Sequence, residues 1–248
     1  MTQPGAMQAA LPWLHSDAHL LAVYKPAGLL VHRSALDRHA QTDVISLLRA
    51  QVAAPLWPVH RLDKGTSGVL VLARDVESAR RLGAAFAMPG TVGKHYLALV
   101  RGWPPERGQI DQPLARDPEL PSAGQALLAA STAWQVLARL NLPLASHPDH
   151  PDTRLALVQV QPLSGRRHQI RRHFKHLAHP LIGDATHGKG PLNRAIAAHI
   201  GHTRLWLHAL QLRLPHPADG RMVTLRAEPG PEWQRWQQAA ADGSGRDA

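Results

Sequence analysis

Residues 60–68, His-Arg-Leu-Asp-Lys-Gly-Thr-Ser-Gly, set one carboxylate, Asp63, between two cations, Arg61 and Lys64, at the end of an apolar run. A carboxylate flanked in this way stays ionised and can act as nucleophile or base. The run before it, LWPVHRL, reads as a strand, and VLVLAR after it reads as another. Between them DKGTSG is turn chemistry, with Gly65 and Gly68 able to take backbone angles that other residues avoid. For the bare pattern a plainer reading has the advantage: Asp63 closes a hairpin as an Asx turn.

A second concentration of chemistry is SGRRHQIRRHFKHLAHPLIGD, residues 164–184. Ser164 can cap a helix starting near Gly165, with Ile170, Phe174 and Leu177 as its buried stripe. Arg171 then sits at the edge of that stripe, with Arg167 and Lys175 a turn away on its flank. An arginine at the border of a buried face seeks a carboxylate or a phosphate, although a solvated basic face has the same spacing. The four histidines here (168, 173, 176 and 179) invite a metal reading. No helical carboxylate or cysteine completes a ligand set, and HExxH is absent, so no metal is expected. In Lys94-His95-Tyr96-Leu97-Ala98, strand alternation puts Lys94, Tyr96 and Ala98 on one face. Tyr96 there is either a core tyrosine or a platform for an extruded base.

These groups need a scaffold, and the flanking pattern describes one. Residues 20–24 read as a strand. TDVISLLRAQVA (42–53) reads as a helix capped by Thr42, with Val44, Leu47, Leu48 and Val52 on one face. Asp75 caps a second helix, VESARRLGAAFA. GKHYLALVRG (93–102) and TRLALVQVQPL (153–163) are strand-like, whereas 103–131 and 141–152 read as loops or insertions. RLWLHALQLRL changes alternation phase at Ala209–Leu210, which predicts a bulge in a long strand. MVTLRAE is a last strand and PEWQRWQQAA a last short helix. Strands outnumber helices and arrive in adjacent runs, so the fold class is α+β, with a mixed, mostly antiparallel sheet flanked by helices. Residues 1–10 and 239–248 have few anchors and read as disordered tails around one domain, 11–238.

Composition narrows the partners. The 28 Lys and Arg against 18 Asp and Glu leave a net charge of +10, which favours a polyanion, nucleic acid first. No apolar run approaches the ~18 residues a membrane span needs, and LLAVYKPAGLLV is interrupted by Lys25, Pro26 and Gly28. The absence of cysteine excludes disulfides and thiolate zinc sites and fits the cytoplasm. No obligate protein partner is evident.

HRLDKGTSG resembles the signature HRLDxxTSG of the RluA-type pseudouridine synthases at every defined position. The resemblance extends to KPAGLLVH at 25–32, with Tyr24 where Asn is usual, and to KHYLA at 94–98. It continues through GRRHQIRRH at 165–173, with Ser164 for Thr and Ala178 for Gly, and RLWLHALQLRLPHP at 204–217. It spans about residues 20 to 226. It implies the pseudouridine synthase fold without an S4 domain, no cofactor, and RNA as partner. It also implies Asp63 as the catalytic carboxylate, Arg171 as the cation paired with it, Tyr96 under the uracil and Leu207 packed against it. Arg61 would enter the space left by the flipped nucleotide, and Arg166 would contact RNA or support the fold. Segments 25–39 and 171–194 are most like the TruC branch, which isomerises uridine 65 of tRNA. Other RluA-type targets in ribosomal RNA or tRNA are the alternative, and a catalytically silent RNA-binding protein is a second. A metal-dependent nuclease lacks clustered carboxylates, and a glycosidase would need two placed carboxylates where one is clear.

Overall fold

The structure, a computed structural model, describes residues 10–32, 42–145, 149 and 151–242. The expected tails lie mostly outside these residues, as does the stretch 33–41 that carries part of the branch resemblance. One large sheet organises the chain. Its strands are β1 (Trp13–Ser16), β2 (Leu20–Lys25), β3 (Trp57–Pro58), β4 (Ser67–Ala73), β5 (Gly93–Arg101), β6 (Arg107–Ile110), β9 (Thr132–Leu142), β10 (Thr153–Pro162), β11 (Leu207–Pro215) and β12 (Met222–Arg226). The order is β1-β2-β4-β11-β5-β10-β9-β6, with β12 beside β11 and β3 beside β4. A separate two-stranded piece pairs β7 (Leu114–Ala115) with β8 (Leu127–Leu128).

Period-2 alternation divides the core between helices on opposite faces. Leu20, Ala22, Val69 and Val71 meet Leu82 and Ala85 of α2 (Val76–Ala87). The intervening Leu21, Val23, Leu70 and Leu72 meet Val44 and Leu48 of α1 (Val44–Gln51). In the other half, Ala98, Val100, Ala156 and Val158 pack on Ile170 and Phe174 of α3 (Gln169–His176). Leu97, Leu99, Leu155 and Leu157 pack on Ile196 of α4 (Gly190–Ile200) and Trp236 of α5 (Gln234–Ala241). Each fully buried Leu side chain contributes about 1.5–3 kcal/mol, so the two-faced sheet is the main source of stability.

The α+β class and the mostly antiparallel sheet hold. Every strand ladder among the described residues is antiparallel except β4 with β11, where Ser67 faces His208 and Gly68 faces Ala209. That central parallel contact is close. Gly68 has φ +117°, and a Cβ on it would lie 2.1 Å from the Ala209 carbonyl oxygen. The glycine is therefore required where the turn after Asp63 enters the sheet. The bulge in β11 falls where the alternation changed phase, between Ala209 and Gln211.

Several expectations need correcting. α1 is capped by Asp43 and not Thr42, because the cap oxygen must reach the N–H three residues on, and Asp43 accepts from Ser46 N. LWPVHRL pairs only at Trp57–Pro58: proline has no N–H, and His60 Nε2, not a strand carbonyl, accepts from Val71 N. α3 starts at Gln169, later than expected, because His168 is left-handed (φ 55°) and ends the preceding turn. Ser164 is therefore no cap; its hydroxyl donates to Gln169 Oε1. The stretches expected as loops contain β6, β7 and β8. β9 and α4 were not read from the sequence, although Pro191 at the start of α4 and left-handed Gly201 at its end are ordinary helix punctuation. α5 runs to Ala241, into the stretch expected as tail.

The end of α3 yields a stability prediction. Ala178 has φ 61°, with its N–H bonded to Lys175 O and His179 N bonded to Phe174 O, the Schellman pattern in which glycine is normal. Ala178→Gly relieves the left-handed strain and should raise stability by about 1 kcal/mol, read as a higher denaturation midpoint at unchanged slope.

Candidate active site

The loop carrying Asp63 is fixed from below. Leu62 is buried in the core, and Thr66 N donates to Asp63 O, closing the turn. Lys64 O accepts from Gly28 N at 2.8 Å and from Lys25 Nζ at 3.1 Å, so the segment 25–29 clips the loop. Lys25 is fully buried, and its Nζ also donates to Pro26 O and Leu29 O. Burial pulls its pKa down to about 7, with the Asp63 charge working the other way. Behind the turn, Ser67 Oγ lies 2.8 Å from His208 Nδ1, whose Nε2 lies 2.9 Å from Ala227 O, and Arg204 donates to the same Ser67 oxygen. Tyr24 flanks this cluster, its ring 5.9 Å from that of His208, a supporting place away from Asp63.

Arg171 joins loop and helix. Its Nη1 donates to Asp63 Oδ2 at 2.9 Å, while Nε and Nη2 donate to the two oxygens of Asp184 at 2.7 and 2.9 Å. Desolvation opposes the guanidinium charge, but the Asp184 and Asp63 contacts override it and raise the Arg171 pKa. Asp184 is fully buried; burial pushes its pKa up, and the Arg171 hydrogen bonds carry it below the usual carboxylate range. A two-carboxylate grip on one planar fork fixes Arg171, and hence Asp63, in a single orientation.

Asp63 faces a cleft of about 450 Å³, a size that suits a nucleoside. Tyr96 from β5 and Leu207 from β11 line it beside Ile170 and Phe86. Burial, then the Asp63 charge, raises the Tyr96 pKa, so its hydroxyl stays protonated. Lys94 also lines the cleft, its Nζ 5.8 Å from the Phe86 ring centre. His60 stacks on Phe86 at 4.7 Å, and burial takes its pKa down to about 3, leaving a neutral ring that accepts from the backbone. Arg61 and Arg166 are exposed at the rim, Arg166 with its Nε on Ala129 O. Asp63, Tyr96, Arg171, Leu207, Arg61 and Arg166 thus converge on one cleft. Arg167, expected on the helix flank, precedes α3 and is tied to Asp117 and Glu119.

The four histidines of the segment do not converge. His173 is buried between Thr132 Oγ1 and Gln112 O, His179 Nδ1 meets Arg101 O, and His168 turns to His187. Among the described residues no group of three or more His, Asp or Glu is placed to hold a metal ion.

The sequence matches the RNA pseudouridylate synthase family over residues 19–176, which includes the Asp63 loop, Tyr96 and Arg171. The chain belongs to that family. Its relatives include proteins called tRNA pseudouridine synthase C. That of Vibrio cholerae is 41% identical over 226 residues, 89% of this chain and 92% of that protein. That of Yersinia pestis is 40% identical, over 89% and 87% respectively. Among solved structures, human RNA Pseudouridylate Synthase Domain Containing 4 superposes with a TM-score of 0.67 at 26% identity, over 91% of this chain and 93% of that one. Human RNA Pseudouridylate Synthase Domain Containing 1 shares the fold, with a TM-score of 0.68 at 24% identity. The pseudouridine synthase fold therefore holds for this chain, with Asp184 and Leu207 lying beyond residues 19–176.

Sequence reasoning missed Asp184, Lys25, His168 and His187 as parts of this candidate site. A signal existed for Asp184: an arginine at a buried border has more donors than one partly exposed carboxylate can use.

Proposed function

We propose that this RNA pseudouridine synthase isomerises uridine 65 of tRNA in the cytoplasm. The observation that carries the chemistry is Asp63 held by Arg171 in a nucleoside-sized cleft beside Tyr96 and Leu207. Breaking the N1–C1′ bond, turning the uracil and joining C5 to C1′, with C5 losing a proton and N1 gaining one, needs a placed carboxylate, a shielded pocket and a group to take the C5 proton, with no net redox change. Arg171 occupies Oδ2 of Asp63, which leaves Oδ1 for the sugar, as nucleophile on C1′ or as base toward a sugar proton. Tyr96 supplies a ring face to the flipped uracil and a phenol that donates rather than deprotonates. Leu207 packs against the base from the sheet side. Arg61 fills the gap in the helix stack, and Arg166 meets the phosphates.

The target rests on the likeness to proteins called tRNA pseudouridine synthase C at about 40% identity, and on the TruC-like segments 25–39 and 171–194. A stem uridine must be unpaired and unstacked at a cost of a few kcal/mol, which basic contacts around the cleft offset. With a net charge of +10, affinity should weaken steeply with salt, with a log–log slope of about −0.7 to −0.9 per neutralised phosphate. Pseudouridine mapping on transcribed tRNA and ribosomal RNA fragments tests the target. Modification at tRNA position 65 is expected. Modification confined to a ribosomal fragment would overturn the target and leave the reaction standing.

A further inference from the structure

Arg171 takes one oxygen of Asp63, and the other has a different neighbour. His168 Nε2 lies 3.9 Å from Asp63 Oδ1, just beyond hydrogen-bond length, and His168 Nδ1 lies 3.2 Å from His187 Nε2. The two rings meet edge to face, 5.4 Å between centres. His168 holds φ 55°, a left-handed conformation that costs a non-glycine residue roughly 1–2 kcal/mol. Strain kept at a residue whose ring enters the cleft points to a role for the ring. The backbone of His187 is fixed in turn by its N–H on Asp184 Oδ1. One buried carboxylate therefore orients both arms that reach Asp63: the guanidinium on Oδ2 and the histidine pair beside Oδ1.

We propose that His168, steered by His187, is a positioning residue for Asp63: a neutral imidazole that flanks Oδ1 and keeps this oxygen unpaired for the uridine sugar. The proposal rests on the isomerase reading above. The charged and titratable groups facing His168 are Asp63, Arg171, Arg167, Asp184 and His187, and those facing His187 are Asp184, Arg171, His168 and Lys175. Burial lowers both imidazoles, with the arginines adding to it and the carboxylates opposing, and His187 comes down to about 4. Both rings are therefore neutral at pH 7. An imidazolium at this distance would instead pair with Oδ1 and withdraw it from the sugar. Turnover should fall as pH falls through the titration of the pair, below the ordinary imidazole range near pH 6.5. RNA binding should not fall with it, because protonation adds positive charge beside a polyanion.

The test is the pH dependence of kcat and KM on a tRNA transcript for the wild type, His168→Asn and His168→Lys. Asn tolerates the left-handed backbone and cannot become a cation in this range. The wild type should show an acid limb in kcat with KM flat or falling. His168→Asn should turn over about tenfold more slowly without that limb. His168→Lys, a cation throughout the acid range, should be about tenfold slower again there while binding RNA no more weakly than wild type. His187→Asn leaves the His168 backbone untouched and should move the midpoint of the limb. Circular dichroism melts of all three variants separate these effects from misfolding. An acid limb in His168→Asn at the wild-type midpoint, a Lys variant as fast as the Asn variant, or a limb unmoved in His187→Asn would each overturn the proposal. A wild type that makes no pseudouridine from any RNA would instead overturn the reading on which it rests.

Discussion

Asp63→Asn should abolish turnover while leaving RNA affinity within about tenfold of wild type, or ~1.4 kcal/mol. Asn can still accept one hydrogen bond from Arg171, so the loop keeps its shape, clipped by Lys25 and Gly28 to the Lys64 carbonyl. The charge on the oxygen is what disappears, and with it both the nucleophile and the base. Losing a negative charge from a cleft lined by Lys94, Arg61 and Arg166 deepens its positive field, so RNA binding has no electrostatic reason to weaken. Single-turnover assays and filter binding on the same tRNA read the two quantities. Residual turnover above a few per cent, or binding lost in step with turnover, would remove Asp63 from the chemistry.

Asp184→Asn should cost about 3–5 kcal/mol of stability and most of the activity. Asp184 is fully buried and accepts Arg171 Nε and Nη2 together with the backbone N–H groups of Thr186 and His187. An amide at this position aims a donor at the guanidinium and leaves Arg171 with only the partly exposed Asp63 as counter-charge. The pH dependence gives an independent signature. Because the folded pKa of Asp184 is depressed, its stabilising contribution is present above the unfolded value near 3.9 and is lost as pH falls through the folded value. Wild-type stability should therefore decline on acidification below about pH 4, and the Asn variant should lack that part of the slope. Equilibrium denaturation across pH checks both. A variant as stable as wild type would show that the fork does not organise the site.

Much of the candidate site was legible because its residues sit in contiguous motifs. Asp63, Tyr96, Arg171 and Leu207 come from the turn before β4, from β5, α3 and β11, and the strand order brings them together although Asp63 and Arg171 are 108 positions apart. The strands were readable where a short apolar run stood between turn signals, as in β4, or where apolar and polar residues alternated, as at the end of β10, and the phase change in β11 marked its bulge. What escaped was held by side chain to backbone contacts, which leave no periodic trace. Lys25 reads as a charge interrupting an apolar run, yet it is buried beneath three carbonyls. The start of α3 was placed too early because propensity says nothing of a left-handed histidine. α4 buries only Ile196 fully, too little for an amphipathic pattern to stand out.

The fate of the C5 proton distinguishes uridine isomerisation from every other reaction at this cleft. Rejoining uracil through C5 must release that proton to water, whereas hydrolysis, strand cleavage or passive binding need not. Purified protein is incubated with tRNA transcribed from uridine tritiated at C5, and tritium in the solvent is counted against time. Stoichiometric release from a single uridine in the intact strand is expected, and none with Asp63→Asn. Tritium retained in RNA that the protein binds tightly, or equal release from Asp63→Asn, would contradict that expectation.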